Sequence, residues 1–280
     1  MNFLLLVVVF LKFQTDPLPN KRVLLFGLGS GGSKIAIELT RSGVGNFLLC
    51  DPDRFEYANV SRHEGDLTDV GKPKVQLATE RIYKINPAVK VEIFCENIFD
   101  WDSEDIEKLF SQADLVIAST DVTAVQLLIN RFAYRLKKPC VFGGCYEEAL
   151  GGEVFFTLPN ENMPCLECLR GNLKQPEKLG EIDYSNATGP EDYQGQPGLH
   201  AAVDFITCVE IQIALGILLR ESETSKLAKM IDPKKNFLLI GGMMGEGFYR
   251  FKKPFDIFYQ PLKGPRKTCP LCQVQNQTQI

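Results

Sequence analysis

The chain has 280 residues, of which 45% are hydrophobic and 24% are charged, and its formal net charge is −4. This composition is typical of a globular protein with a sizeable core, and the scattered basic residues argue against a protein that coats nucleic acid. The cysteines number nine, an odd count, and four of them form two C-x-x-C pairs. This pattern favours a reducing compartment such as the cytoplasm, and a metal site rather than a disulfide framework.

The chain begins with an apolar run, residues 1–11. The run is too short for a transmembrane helix, no basic residue precedes it, and no small-residue cleavage site follows it. We therefore expect neither a membrane span nor a secretion signal. Residues 1–20 are expected to be an N-terminal segment, either a buried strand or the end of a truncated region.

A glycine-rich stretch organises the rest of the chain. Gly27, Gly29 and Gly32 form G-x-G-x-x-G, and Asp51 follows about twenty residues later. Such glycines let phosphates approach a helix N-terminus, while the acid reaches ribose hydroxyls. The stretch therefore predicts nucleotide binding, although the glycines alone would also fit a turn that serves only tight packing. The predicted elements are a strand at residues 23–26, a helix at residues 33–39 and a strand at residues 47–50.

The chain then alternates between helices and strands. Asn86-Pro87 is expected to end the first of these helices, and Asp102 or Ser103 to cap the second. Asp121 follows the fourth strand. The alternation predicts an α/β fold with a doubly wound, mostly parallel, Rossmann-like sheet, in which ligands lie beyond the carboxyl ends of the strands. Helices are predicted at residues 74–85, 101–110 and 123–136, and strands at residues 89–94, 113–120 and 139–143.

The second half of the chain has a different character. A long polar stretch, residues 171–196, precedes a strongly apolar helix at residues 197–219. A loop of that length in a compact domain is usually functional or disordered. We expect residues 21–150 and 151–280 to be the two halves of one integrated domain, with a loose tail at residues 273–280. A C-terminal mixed β extension is predicted from strands at residues 153–158, 237–240, 248–251 and 257–262.

Five short motifs follow one another along the chain. They are Asp51-Pro52-Asp53, Asn59-Val60-Ser61-Arg62, Gly71-Lys72-Pro73-Lys74, Asn86-Pro87 and Ser119-Thr120-Asp121. In this order and spacing they resemble the adenylation domain of the ThiF/MoeB/HesA-type activating enzymes, which belong to the superfamily of the ubiquitin-activating enzymes. The resemblance extends over residues 23–272, and the combination is more specific than any single motif.

The resemblance implies an adenylyltransferase that uses ATP and Mg²⁺. Its substrate would be the C-terminal glycine carboxylate of a small ubiquitin-fold protein, activated as an acyl-adenylate with release of pyrophosphate. By the same match, Asp51 would bind the ribose, Asn59 and Arg62 the phosphates, Lys74 the α- and β-phosphates, and Asp121 the magnesium ion. Family members are commonly dimeric, which implies a homodimer. The implied ATP site comprises Gly27, Gly29, Gly32, Asp51, Asp53, Asn59, Arg62, Lys74 and Asp121, of which the last three are expected to be catalytic.

These residue types suit the chemistry independently of the resemblance. Attack of a carboxylate on a phosphate brings two anions together, so fixed cations such as Arg62 and Lys74 would lower an electrostatic barrier. The carboxylate is already ionised, so no general base and no Ser-His-Asp set are needed. Two plainer interpretations stay open: Arg62 and Lys74 as solvated loop charges, and Asp121 as a helix N-cap.

The chain departs from the family pattern at three points. His63 stands where the family has glutamine, which is expected to alter phosphate or partner contacts. No arginine precedes Arg22, so the N-terminal arginine that reaches the neighbouring subunit's ATP site in relatives is missing or supplied by another segment. Residues 185–200 contain no cysteine where thioester-forming relatives have a nucleophile, and Cys145 and Cys208 are the nearest candidates.

The two C-x-x-C pairs are Cys165 with Cys168 and Cys269 with Cys272. Each pair has the spacing that lets two thiolates bind one tetrahedral zinc ion. Family members carry such a pair-plus-pair site, so the resemblance implies a structural four-cysteine zinc. A redox dithiol, which needs only one pair, is the alternative. His200 is expected to be structural, with a place near a substrate tail as the alternative.

Three other functions stay open. An enzyme similar to threonylcarbamoyladenosine dehydratase, which activates a small substrate or a tRNA base, would share the ATP site. The non-catalytic half of a heterodimeric activating enzyme would fit the missing arginine, but not the intact Arg62, Lys74 and Asp121. A nicotinamide-dependent oxidoreductase would share the glycine motif, but it leaves residues 59–74 and the cysteine pairs unexplained.

Overall fold

The structure, a computed structural model, describes residues 17–159, 161, 163–172, 198–242, 251, 253–262 and 264–272. Its helices are α1 (Ser30–Ser42), α2 (Lys74–Ile85), α3 (Ser103–Ser111), α4 (Thr123–Arg135), α5 (Leu166–Asn172) and α6 (His200–Leu218). Its strands are β1 (Arg22–Phe26), β2 (Asn46–Cys50), β3 (Lys90–Phe94), β4 (Leu115–Ala118), β5 (Cys140–Cys145), β6 (Gly151–Thr157), β7 (Phe237–Gly241) and β8 (Ile257–Tyr259). The predictions for residues 1–16, 173–197, 243–250 and 273–280 lie outside the described residues.

The eight strands of the described residues belong to one sheet, in the order β3-β2-β1-β4-β5-β6-β7-β8. Strands β1 to β5 pair in parallel, and β6, β7 and β8 are added antiparallel to the edge formed by β5. The predicted doubly wound, mostly parallel sheet with a mixed C-terminal extension is therefore confirmed. The strand order reverses between β1 and β4, and ligands of such sheets bind at this switch point.

Most predicted elements agree with the structure to within a few residues. The predicted bounds of α2 match, and Asp102 caps α3 by accepting the Asp105 N–H at 2.9 Å. The apolar helix begins at His200 instead of residue 197, with Leu199 as its N-cap. Strand β3 is more exposed than the other parallel strands because it forms the free edge of the sheet.

The core lies on both faces of the sheet, as the continuous apolar run in β1 predicts. Leu25 packs into a cluster with α1, α2 and α6, whereas Leu24 packs into the opposite cluster with α3, α4 and α5. Both leucines are fully buried. Burial of a leucine side chain contributes about 2 kcal/mol, so packing on both faces holds β1 firmly within the sheet.

Helix α6 is the central helix of the first face. It is long and apolar enough to meet a length and composition test for a membrane-spanning helix, but 61% of its most apolar window is buried inside the protein. It contacts α1 and the strands β4, β5 and β6. Its apolar character is therefore explained by its place in the core.

Candidate nucleotide-binding site

The turn between β1 and α1 requires its glycines for two different reasons. Gly27 has a φ of +84°, and a Cβ there would lie 2.3 Å from the backbone oxygen of Ser119, at the end of β4. A Cβ at Gly32 would lie 1.9 Å from the Gly27 carbonyl oxygen, so this glycine allows α1 to pack closely on the turn. Both positions exclude a larger residue.

Gly29 differs, because a Cβ there would meet no atom within 4 Å. Gly29 is the N-cap of α1, and as a glycine it has no side chain with which to cap this helix end. The first N–H groups of a helix carry partial positive charge and seek acceptors. An open, uncapped helix N-terminus at the switch point of the sheet can accept phosphate groups.

Leu28 lies between the first two glycines of the motif, and both its N–H group and its carbonyl oxygen form hydrogen bonds. Its N–H donates to Asp51 Oδ2 at 2.5 Å, and its carbonyl oxygen lies 2.7 Å from His63 Nε2. The Gly65 N–H donates to His63 Nδ1 at 3.1 Å, so Nδ1 is the acceptor and Nε2 carries the proton that reaches Leu28. The glycine turn is therefore pre-organised by groups from β2 and from the loop before α2.

His63 is a buried support for the turn. Burial lowers the pKa of His63 to about 4, and the positive charges of Lys74 and Arg62 act in the same direction. The imidazole is therefore neutral at physiological pH, as its two hydrogen bonds require. The ring is only 6% exposed and both nitrogens bond to the backbone, so any effect of His63 on phosphate or partner contacts, as expected from the sequence, would act through the glycine turn.

Asp51 lies at the carboxyl end of β2, where the sequence predicts a ribose ligand. Its Oδ2 accepts the Leu28 N–H, and its Oδ1 accepts the Asp53 N–H at 2.8 Å. Burial raises the pKa of Asp51, while the nearby charge of Lys74 and the two backbone N–H groups oppose that rise. The carboxylate is thus held in one orientation, and each oxygen keeps a second lone pair for a ligand.

Lys74, the first residue of α2, is buried beside Asp51. Its Nζ lies 2.6 Å from Asp53 Oδ2, and its side chain is only 11% exposed, compared with 62% for Asp53. A buried ammonium requires a counter-charge, which Asp53 supplies here and which an entering phosphate could replace. The interpretation of Lys74 as a solvated loop charge is therefore wrong.

The loop that carries Asn59 and Arg62 is fixed by its own polar contacts. Asn59 Oδ1 accepts the Glu56 N–H at 2.9 Å and closes the 3₁₀ turn Tyr57–Asn59. Arg62 is partly buried, and its Nη1 lies 3.4 Å from the Ala58 carbonyl oxygen. The Asp69 carboxylate binds both Lys72, at 3.0 Å, and Arg81, at 2.5 Å, and so ties the loop to α2.

Asp121 follows β4 at the same edge of the sheet. The interpretation of Asp121 as the helix cap is wrong, because the N-cap of α4 is Val122. Asp121 is exposed, and among the described residues no hydrogen bond or ion pair involves its carboxylate. An unpaired carboxylate of this kind is suited to Mg²⁺, which commonly binds to one or two carboxylates together with phosphate oxygens.

The four C-x-x-C cysteines converge although the two pairs are far apart in the sequence. The Sγ atoms of Cys165 and Cys269 lie 3.6 Å apart, those of Cys168 and Cys272 3.6 Å, and those of Cys165 and Cys168 3.9 Å. Four thiolates about 2.3 Å from one tetrahedral zinc ion would be about 3.8 Å from each other. The spacing fits a shared metal ion and is far too long for disulfides. One buried four-sulfur cluster also disfavours the isolated redox dithiol.

Neither candidate nucleophile has the environment of a reactive thiol. Desolvation and the neighbouring Glu210 carboxyl raise the pKa of Cys145 to about 12. Desolvation and Asp204 also raise the pKa of Cys208, which lies on α6. Thiolates attack and thiols do not, so both groups are poor nucleophiles at neutral pH.

His200 belongs to a group of charges that joins α6 to α1. The Nζ atom of Lys34 lies 3.4 Å from Glu64 and 3.3 Å from Asp204, and His200 Nε2 lies 3.7 Å from Asp204. The ligating atoms of Glu64, His200 and Asp204 are within 4.8 Å of one another. The Lys34 ammonium, however, already forms an ion pair with each of the two carboxylates. The geometry therefore agrees with the expected structural role.

The profile of the ThiF family matches residues 5–253, which is most of the chain. The chain belongs to the ThiF family. Relatives include the sulfur carrier protein adenylyltransferase of Thermus thermophilus, 34% identical over 55% of this chain and 57% of that protein. The molybdopterin-synthase adenylyltransferase of Escherichia coli is 31% identical over 55% of this chain and 60% of that protein.

The fold is also that of a solved structure. A crystal structure of E. coli MccB with ATP superposes with a TM-score of 0.67 over 93% of this chain and 68% of that chain. At 20% identity this likeness shows the fold alone. The matched region spans about 60% of the length of the two curated relatives.

Proposed function

We propose that the protein is an ATP-dependent adenylyltransferase. Its substrate would be the C-terminal carboxylate of a small ubiquitin-like or sulfur-carrier protein, and its product an acyl-adenylate. The observation that carries this proposal is the connected unit of glycine turn, Asp51 and buried Lys74, which lies beside an uncapped helix N-terminus. The names of the two curated relatives support the same activity.

The reaction follows from the charges at the site. A carboxylate oxygen of the partner protein attacks the α-phosphorus of ATP, a new C–O–P bond forms, and the bond to pyrophosphate breaks. No proton is transferred, because the attacking carboxylate is already ionised. The residues that act are those that stabilise negative charge and hold the two reactants in line.

Each residue contributes a distinct part of that stabilisation. The N–H groups of α1 would accept the phosphates over Gly29, while Asp51 would bind the ribose. Lys74 would exchange Asp53 for a phosphate oxygen, and Asn59 and Arg62 would contact the remaining phosphate charge. Asp121 would hold Mg²⁺, which supplies further positive charge to the phosphates.

Two further features belong to this proposal. Cys165, Cys168, Cys269 and Cys272 would hold a structural Zn²⁺, because four protein thiolates leave no open position for water or substrate. The spacing of their sulfur atoms supports this assignment. The resemblance to commonly dimeric enzymes supports a homodimer, and the reduced cysteines support a cytoplasmic location.

Pyrophosphate exchange into ATP tests the function. Exchange by the wild-type protein should require Mg²⁺ and a ubiquitin-fold partner protein. Lys74→Met should lower the rate by about 100-fold, because it removes a fixed cation from the reacting phosphates. Lys72→Met is the matched control: Lys72 pairs with Asp69 and Glu80, and its loss should leave most of the exchange intact.

Two results would contradict the proposal. One is tight binding of NADH by a protein that binds no ATP, which would assign the glycine turn to a nicotinamide cofactor. The other is full exchange activity in Arg62→Ala and Asp121→Ala, since these side chains would then have no part in the chemistry. Exchange stimulated by a small molecule or tRNA, and by no ubiquitin-fold protein, would overturn the substrate assignment alone.

A further inference from the structure

A buried glutamine forms a hydrogen bond to the backbone of the turn that carries Asp121. Gln126, in the first turn of α4, donates from Nε2 to the Thr120 carbonyl oxygen at 2.7 Å. The same nitrogen lies 3.5 Å from the Gly143 carbonyl oxygen, near the end of β5. Gln126 is only 4% exposed. One amide group therefore fixes the residue before Asp121 and joins the carboxyl ends of β4 and β5.

The orientation of that amide is set by Arg170 on α5. Arg170 Nη2 donates to Gln126 Oε1 at 3.3 Å, and Nη1 lies 2.6 Å from Glu153 Oε1 on β6. The Tyr146 hydroxyl donates to the other oxygen of Glu153 at 2.8 Å. A guanidinium can only donate and a backbone carbonyl can only accept, so the glutamine amide has one orientation that satisfies both neighbours.

Tyr146, Glu153, Arg170 and Gln126 thus form one connected polar network that ends at the Thr120 carbonyl oxygen. A buried ion pair contributes little to folding compared with apolar packing, and a polar chain of this kind is costly if any link is broken. Val122, the N-cap of α4, makes no side-chain capping bond. Among the described residues, Gln126 is the side chain that bonds to the Thr120 carbonyl oxygen. This polar network fixes the position of the turn that carries Asp121, whose carboxylate is unpaired among the described residues.

We propose that Gln126 and Arg170 are positioning residues that hold Asp121 where it can bind the magnesium ion of Mg·ATP. The inference rests on the proposed function. Neither residue would touch ATP or the metal; both act through the Thr120–Asp121 peptide. Loss of either should therefore weaken the contribution of magnesium to ATP binding and leave the contribution of the glycine turn and Asp51 in place.

The test is the affinity of the full chain for ATP, measured by titration calorimetry in Mg²⁺ and again in EDTA. The wild-type protein should bind more tightly in Mg²⁺, so the dissociation constant in EDTA divided by that in Mg²⁺ should be well above one. Asp121→Asn should reduce this ratio to about one. Gln126→Leu and Arg170→Met should lower that ratio by about ten-fold, because small displacements of a positioned group have large effects. In the Asp121→Asn background, Gln126→Leu should have no further effect on the ratio.

Two variants separate positioning from folding. Gln126→Glu keeps the shape and the bond to Arg170 but removes the donor to Thr120, so it should also lower the ratio. It serves as the test if Gln126→Leu does not fold. Arg131→Met is the matched control, because Arg131 joins the same two helices through Glu167 at 2.6 Å and is 62% exposed. This control should retain the wild-type ratio.

The outcomes are distinct. A wild-type ratio in folded Gln126→Leu, Gln126→Glu and Arg170→Met overturns the inference and leaves the proposed function intact. Equal loss of affinity in Mg²⁺ and in EDTA also overturns it, since that pattern indicates a general structural role. A wild-type protein that binds no ATP overturns the proposed function and this inference with it.

Discussion

Glu210 is a buried acid, and its replacement should stabilise the protein in a pH-dependent way. The residue lies within α6 and is only 3% exposed. Its Oε1 atom has no hydrogen-bond partner among the described residues, and Oε2 lies against Gly143, where an added Cβ would be 2.1 Å away. Glu210→Gln keeps the shape of the side chain in this tight space and removes its ability to ionise.

The size of the effect follows from the pKa. Burial raises the pKa of Glu210 from its ordinary value of 4.5 to about 8. Between these values the unfolded chain releases the proton while the folded protein keeps it, so the free energy of unfolding falls as pH rises. The free energy of unfolding falls by about 1.4 kcal/mol per pH unit in this range, so the wild-type protein has lost about 3 kcal/mol of stability at pH 7. Glu210→Gln removes this loss.

The assay is urea denaturation of the wild-type protein and of Glu210→Gln at several pH values between 5 and 8. The free energy of unfolding of the variant, relative to that of the wild-type protein, should rise by about 3 kcal/mol between pH 5 and pH 7.5, with an unchanged m-value. Glu221→Gln, an exposed carboxylate just past the end of α6, controls for the change in net charge. A difference between Glu210→Gln and the wild-type protein that stays flat across this range would refute the reasoning.

Four further predictions concern the site, its supports and the cysteine cluster. Gly32→Ala should destabilise the fold by about 2 kcal/mol or more, because the new Cβ would meet the Gly27 carbonyl oxygen. Gly29→Ala should unfold at the wild-type temperature but bind ATP weakly by calorimetry, and normal ATP affinity would contradict the assignment of this space to phosphate. His63→Leu should cost about 2 kcal/mol in urea denaturation by leaving Leu28 and Gly65 without their bonds; an unchanged midpoint would show that water replaces the ring. Cys269→Ser should abolish stoichiometric zinc in elemental analysis and lower the melting temperature, and zinc retained at one equivalent would exclude the four-sulfur site.

The sequence determined the local elements of this protein and the edge at which its site lies. Apolar runs flanked by glycine or an acid predicted the parallel strands, because a strand covered on both faces must be apolar throughout. The glycine spacing placed an open helix N-terminus after β1. Asp51 and Asp121 were assigned to the same edge because parallel strands present their carboxyl ends together. These features follow from short local patterns together with the general geometry of parallel sheets.

The tertiary structure decided the pairings between distant segments. The sequence offered no signal that His63 bonds to Leu28, that Lys74 is paired with Asp53, or that Asp121 leaves the capping position to Val122. Cys165 and Cys269 are 104 residues apart, and only the path of the chain brings their sulfur atoms to 3.6 Å. Gln126, Arg170 and Glu210 look like ordinary helical residues until the sheet buries them. Their roles depend on which polar atoms meet after burial, and that is fixed by packing across the whole sheet and not by local pattern.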